Sequence, residues 1–344
     1  MRNFLFVILA AIVMSAMAVS CGNDGSNGSN KDGDNSAANE RGTKASDSSE
    51  VLDDSIGIDT TGIETPMDSG FQKSTKKAML IGVSTYKDKS WESISSGNDI
   101  DMLEKTLTKE LGFEVVLRTE SRATHQGIVN AFVELTNKCN PGDTVLVHFS
   151  GHGQQMVDQE GDETDDHLTE CFIPYDAYMK CSTDPNGYRG QCHFTDDEMH
   201  KYIANLRKKL GKNGFLLVTL DACHSGSLSR ESDSENKVMR GTNDYFGYGI
   251  LKQAKVKPRF VTGDVNYARY VVVSACQPDE INYEVSRNGK NYGSLSFILN
   301  EKLLDVKSGK LTIDKLPTAI KGERSYWSEQ GQTPYIDNND ENVQ

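Results

Sequence analysis

The sequence predicts an α/β fold: a mostly parallel central sheet with helices on both faces. Three observations carry this. Short apolar runs alternate with segments whose apolar residues recur at helical spacing. The runs have the length of strands rather than helices. Two long polar stretches follow the runs at 144–149 and 215–220, where a parallel sheet would place functional loops.

Each element has its own signal. Ala78 to Val83 is apolar and short, and reads as the first strand. Asn98 to Leu111 places Ile100, Leu103, Leu107 and Leu111 on one helical face. Phe113 to Leu117 reads as the second strand. Thr124 to Thr136 reads as a helix with Ile128, Ala131, Phe132 and Leu135 inward. The turn Pro141-Gly142-Asp143 leads into a third strand, Thr144 to Phe149. From Gly151 to about Thr195 the chain is polar and holds the acidic cluster Asp158, Glu160, Asp162, Glu163, Asp165 and Asp166. Asp196 to Leu210 is the next helix, and Phe215 to Leu220 the fourth strand. Ser227 to about Pro258 is polar and charged with little periodicity. Ala268 to Ser274 is the fifth strand, and Gly293 to Leu304 a helix.

The chain has 344 residues and a net charge of −13. That balance argues against nucleic-acid binding, which demands basic surface, and suits an enzyme acting on cationic substrates. Residues 1–20 read as a secretory signal, with Arg2 at the start, an apolar core from Phe4 to Val13 and small residues after it. Ala18-Val19-Ser20-Cys21 resembles a bacterial lipoprotein cleavage box, although Ala18 stands where leucine is usual. Cys21 is then the lipidated residue of an exported chain held on the periplasmic or surface face of a membrane. Residues 21–72 read as a disordered Gly/Ser/Asn/Asp-rich tether, and 73–344 as one catalytic domain. Disulfides are permitted in an exported chain, and Cys181 and Cys192, flanking a polar loop, are candidates to pair. No Cys-x-x-Cys is present, which argues against structural zinc.

The chemistry centres on His152 and Cys223. Each stands just past an apolar run, in Ser150-Gly151-His152-Gly153 and Asp221-Ala222-Cys223-His224-Ser225-Gly226. A thiol attacks a carbonyl as its thiolate, and a neighbouring imidazole takes the proton and returns it to the leaving amine. The pair therefore reads as a cysteine-protease dyad, with His224 as a competing base. The backbone N–H groups of Cys223 and Gly153 are candidates for an oxyanion hole.

These two segments resemble the signatures of the metacaspases, within the caspase-like cysteine peptidases. Gly161-Asp162-Glu163, Glu170, Pro174-Tyr175-Asp176, Thr195 to Glu198, Gly97-Asn98-Asp99 and Ser274-Ala275-Cys276 extend the likeness over about Lys76 to Tyr335. The resemblance implies a caspase-hemoglobinase fold and an endopeptidase cutting after Arg or Lys through an acyl-enzyme. It implies protein or peptide substrates and no cofactor for the chemistry. It assigns Asp221 to the pocket for a basic side chain, with Asp99 and Ser150 matching further pocket positions. A carboxylate there pairs with a guanidinium or ammonium group. Asp196 and Asp197 match part of the calcium site of some family members. Thr169 and Arg230, standing where acidic ligands are expected, break that pattern.

A protease for basic residues can cut its own loop after Cys223, where Arg230, Lys237 and Arg240 are candidate sites. The competing readings are a catalytically silent caspase-like binding lipoprotein, a clostripain-like or gingipain-like peptidase, and a sulfur-based acyltransferase.

Overall fold

The computed structural model describes residues 75–157, 168–184, 186–223, 238–247, 266–278 and 280–338. The expected signal, Cys21, the tether, the acidic cluster from Asp158 to Asp166, Arg230 and Lys237 lie outside them.

The chain opens with β1 (Lys76–Gly82), α1 (Ser96–Lys105) continued by one π-helical turn, β2 (Glu114–Thr119), α2 (His125–Lys138) and β3 (Thr144–Ser150). Then come β4 (Gly153–Val157), β5 (Leu168–Phe172), β6 (Phe194–Thr195), α3 (Asp196–Leu210), β7 (Phe215–Asp221) and β8 (Arg269–Ser274). The last part is β9 (Glu284–Arg287), β10 (Lys290–Gly293), α4 (Ser294–Lys307), α5 (Leu316–Gly322), α6 (Arg324–Gln330) and β11 (Tyr335–Asn338).

The central sheet runs β11-β8-β7-β3-β1-β2. All its pairings are parallel except that of the edge strand β11 with β8. The inner strands β1, β3, β7 and β8 are buried on both faces, which is why they appear in sequence as largely apolar runs. Along β1, Met79 and Ile81 enter one core with Ile128, Phe132 and Leu135 of α2 and Ile203 and Leu206 of α3. Ala78 and Leu80 enter the other, with Ile100 and Leu103 of α1 and Leu295 and Leu299 of α4. Two helix starts follow from local chemistry. The hydroxyls of Thr124 and Thr195 accept from the Gly127 and Glu198 amides at 3.0 and 3.1 Å, capping α2 and α3.

Parts of the chain depart from the expected pattern. The stretch expected to be irregular after Gly151 contributes a three-stranded antiparallel sheet, β4-β5-β6. Its β6 has two residues, too short to show a period. The segment between the fifth strand and its helix forms the β9–β10 hairpin. Cys181 is a free thiol, so the expected Cys181–Cys192 bridge does not form. Its Sγ instead meets the Tyr188 carbonyl at 3.6 Å and Arg189 Nη1 at 3.3 Å. Among the described residues no helix is long and apolar enough to cross a membrane.

Register fixes where chemistry can occur. Gly82, Ser150 and Asp221 lie side by side at the carboxyl ends of β1, β3 and β7. A Cβ on Gly82 would strike the Ile100 side chain, so β1 ends on glycine where α1 crosses it. Gly82→Ala is expected to lower stability by about 1–3 kcal/mol through this overpacking, read as a lower urea midpoint with an unchanged denaturant slope.

Candidate active site

Two residues beyond the ends of β3 and β7 stand His152 and Cys223, both buried. The His152 ring stacks on Trp91 at 5.1 Å and lies 5.2 Å from Tyr86, whose hydroxyl accepts from the His152 amide. His152 Nε2 is 2.9 Å from the Glu92 carbonyl oxygen. A carbonyl only accepts, so Nε2 carries the proton and Nδ1 is left as the basic nitrogen. Nδ1 is buried and has no partner among the described residues. Burial lowers the imidazole to about 4, with the Glu92 bond opposing and Arg240 adding to the fall. The ring is thus neutral and able to accept a proton throughout the neutral range. The Cys223 thiol donates to the Glu280 carbonyl at 3.2 Å, and Cys276 donates to the same oxygen at 3.5 Å. The hydrogen bond to Cys223, and then burial, hold the Cys276 thiol well above its ordinary range.

The amides of Cys223 and Gly153 converge on one oxygen. They donate at 2.8 and 3.3 Å to the backbone carbonyl of Arg240. This is the geometry of an oxyanion hole, with a carbonyl of the chain itself held in it. Residues 238–240 lie extended against 282–284. The Arg240 amide donates to the Asn282 carbonyl, the Glu284 amide to that of Val238, both at 2.9 Å, and Met239 pairs antiparallel with Tyr283. A peptide added as a strand binds in this way.

The Arg240 side chain is fully buried, which corrects the expectation of a polar, unstructured loop at this position. Its Nη1 donates to Ser150 Oγ at 2.6 Å. Its Nη2 lies 2.9 Å from Asp99 Oδ2 and 3.0 Å from Glu284 Oε1. Ser150 Oγ donates onward to Asp99 Oδ2 at 2.7 Å, and Asp99 Oδ1 accepts from the Gly293 amide at 2.9 Å. Asp221 is held from below: Oδ1 accepts from Asn282 Nδ2 at 2.8 Å, and Oδ2 from the Ser296 amide and hydroxyl at 2.7 and 2.6 Å. Ser296 is in turn 3.2 Å from Nε2 of the buried His148. With both oxygens so engaged, Asp221 acts on the guanidinium as a nearby fixed charge. Burial opposes the Arg240 charge, but Asp99, Asp221 and Glu284 outweigh it and keep the guanidinium ionised. Asp99, Ser150 and Asp221 therefore surround the Arg240 side chain.

Four contributors escaped the sequence reading. Glu284, Asn282 and Gly293 lie in a stretch with no motif, and His148 looked like part of an apolar run. The pairing of Glu284 with Gly293 across the hairpin, now visible in the register, had no counterpart in the sequence signal.

Asp196 and Asp197 occupy the first turn of α3, beside its Thr195 cap, where carboxylates suit the helix dipole. Thr169 lies on β5. Among the described residues no three His, Cys, Asp or Glu side chains gather as a metal site.

A parallel sheet, a thiol and an imidazole past adjacent strand ends, and an acidic pocket beside them together define a caspase-type site. Residues 75–340 match the caspase domain, and the chain belongs to that family. Among curated relatives, Metacaspase-1A of Aspergillus oryzae is 32% identical over 162 residues, covering 44% of this chain and 35% of that protein. Metacaspase-4 of Arabidopsis thaliana is 28% identical over 169 residues, covering 47% of this chain and 36% of that protein. The match thus spans about a third of these relatives' length. The solved structure of protein GSU0716 from Geobacter sulfurreducens shares the fold, with a TM-score of 0.52 at 19% identity over 77% of this chain and 93% of that one.

Asp99 gives the site a pH signature. Burial pushes its carboxyl up to about 6, against the pull of Arg240, and Asp221 adds to the push. Only the ionised form attracts a cation, so lowering the pH through this value weakens binding of a basic side chain. Weaker binding of a group held alike in ground and transition state appears in KM, so the acid limb is expected in kcat/KM rather than in kcat. An empty pocket lacks the guanidinium's pull, so the limb of kcat/KM falls at higher pH. Asp99→Asn is expected to remove this limb of kcat/KM at reduced overall activity, leaving only that of His152 nearer pH 4. Stopped assays on an Arg-peptide from pH 4.5 to 8 test this.

Proposed function

We propose that the chain is a cysteine endopeptidase cutting after basic residues, with Cys223 as nucleophile and His152 as general base and acid. The observation that carries this is the pose of Arg240. Its side chain fills the acidic pocket while its carbonyl oxygen sits on the amides of Cys223 and Gly153. A substrate's P1 residue must take that position, and the bond presented to Cys223 is Arg240–Gly241. Of the three expected self-cleavage positions, Arg240 is the one this pose supports.

The proposed chemistry assigns a step to each of these groups; in the resting structure the Cys223 thiol is turned to the Glu280 carbonyl and His152 Nδ1 is unpartnered among the described residues. His152 Nδ1 takes the Cys223 proton, and Sγ attacks the carbonyl carbon. The developing oxyanion lies on the two amides. Collapse of the tetrahedral intermediate breaks the C–N bond, and His152 protonates the leaving nitrogen. Water, deprotonated by His152, then hydrolyses the thioester and restores the thiol. Gly241 has a local reason too. A Cβ there would collide with the carbonyl oxygen of Cys223 itself. Glycine lets the chain pass over the nucleophile.

Until it is cut, Arg240 competes with any substrate for the pocket. A tethered ligand has an effective concentration on the order of millimolar, so the uncut chain is held in a latent state. The expected outcome on purified full-length protein is two fragments ending at Arg240 and beginning at Gly241, read by intact mass. Cys223→Ala stays whole, and Arg240→Ala is not cut at this bond. Cleavage that persists in Cys223→Ala would refute the assignment of the nucleophile.

The reading includes an exported, lipid-anchored enzyme facing protein substrates outside the cytoplasm, supported by the signal-like segment and the box ending at Cys21. Radiolabelled palmitate is expected to label the wild type in a bacterial host and not Cys21→Ala. Equal labelling of both would remove the anchor from the proposal.

A further inference from the structure

We infer that Trp91 is a positioning residue for the general base: its indole face fixes the plane of the His152 ring and lies against the cation that forms there when Cys223 gives up its proton. The inference rests on the peptidase reading above and names a residue that none of its steps uses. An imidazole turns easily about its last side-chain torsion. It works as a base only while Nδ1, and not a ring carbon, faces the thiol. The plane of the ring therefore has to be set from outside.

Two consecutive residues set it. The Glu92 carbonyl accepts from Nε2 at 2.9 Å and holds one edge of the imidazole. The Trp91 indole lies on its face, with 5.1 Å between centroids and 25° between planes. Tyr86 meets the same ring at a steeper 39°, and its hydroxyl is engaged with the His152 amide and the Val83 carbonyl. Tyr86 thus holds the backbone, and Trp91 the ring. The indole is buried and anchored by Nε1, which donates to the Ala177 carbonyl at 3.2 Å. Its own segment is tied down on either side. The Trp91 amide donates to the Asp88 carbonyl at 3.3 Å, and the Ile94 amide to the Ser84 carbonyl at 3.0 Å. Asp88 Oδ2 accepts in turn from the Met179 amide at 2.9 Å. The indole is therefore a fixed plate against which the imidazole rests.

The same face bears on the charge that the reaction creates. Once it has taken the Cys223 proton, His152 is an imidazolium. Burial disfavours that cation and the Arg240 charge adds to the penalty, while the Glu92 carbonyl favours it. The negative face of an aromatic ring attracts a cation, and indole does so most strongly. An interaction of this kind corresponds to a roughly 2- to 30-fold effect. It gains strength only when the ring is protonated, so its loss lowers kcat and kcat/KM alike and leaves KM unchanged.

The test compares two variants with wild type on a fluorogenic Arg peptide, using self-cleaved enzyme. Trp91→Leu keeps apolar bulk without an aromatic face, and Trp91→Phe keeps a face. Trp91→Leu is expected to lose roughly 2- to 30-fold in kcat at unchanged KM, and Trp91→Phe to recover most of it. Alkylation of Cys223 by iodoacetamide needs the thiolate but no substrate pocket, and is expected to slow by the same factor. A merely structural role would raise KM, or expose Cys223 and speed its alkylation. An unchanged kcat in Trp91→Leu, a loss confined to KM, or equal losses in both variants overturns the inference and leaves the peptidase reading intact. A wild type that does not cut the peptide overturns both. Should Trp91→Leu fail to fold, fluorinated tryptophans incorporated into the intact chain give a second measurement. Each fluorine weakens the negative face while the ring keeps its shape. The chain has two tryptophans, and Trp327 packs in the other core, with Leu316 and Ile320. The kcat is expected to fall stepwise with added fluorine, and a kcat indifferent to fluorination overturns the inference.

Discussion

The Arg240 guanidinium, buried among Asp99, Asp221 and Glu284, is the point at which distant parts of the chain are tied together. Asp99 comes from α1, Ser150 from the end of β3, Asp221 from the end of β7 and Glu284 from the hairpin after β8. Three carboxylates in one buried space repel each other and are poorly solvated. The elevated Asp99 pKa records that tension. A buried cation relieves it, and leaving such a pocket without one is unfavourable. The pocket therefore demands a cation. In the uncut chain the nearest available one is the chain's own arginine.

The sheet makes this cluster geometrically inevitable once its register is set. Ser150 and Asp221 are paired neighbours at the carboxyl ends of adjacent parallel strands. Two residues further on, His152 and Cys223 leave the sheet together. The amides of Gly153 and Cys223 then face the same carbonyl. The placements of His152, Cys223, the two converging amides and Asp221 thus all follow from one pairing. This is why parallel sheets carry their sites at this edge. His148, in the same strand as Ser150, braces Asp221 through Ser296 from inside the core. The buried face of the strand supports what its end presents.

Legibility in the sequence followed burial and periodicity. The strands β1, β3, β7 and β8 were readable because both their faces are buried, and the edge strand β2 from its short apolar run Val115 to Leu117. The helices α1 to α4 were readable because one face is, and Thr124 and Thr195 announced two of the starts. The strands β4 to β6 were not readable. They are short, follow glycine and polar residues, and gain their pairing from one another and, for β4, from bridges to Gly241 and Phe246. Arg240 sat in a polar stretch with no period. Its burial depends on partners more than 40 residues away in each direction. The Cys181–Cys192 bridge illustrates the limit from the other side. Proximity in sequence suggested a pair, whereas the Cys181 thiol is turned to Tyr188 and Arg189.

What the sequence determined by itself was local: which segments become strands and helices, and which chemical groups stand just past the strand ends. Those properties depend on apolar spacing, caps and the identity of a few neighbouring residues. Tertiary structure decided which of the many acidic residues form the pocket, that Glu284 and Gly293 belong to it, and that Arg240 is in it rather than in solvent. The physical reason is that these are long-range facts. They come from strand register and the packing of α1 and the hairpin against the sheet edge, and the repulsion among buried carboxylates exists only once the chain has brought them together.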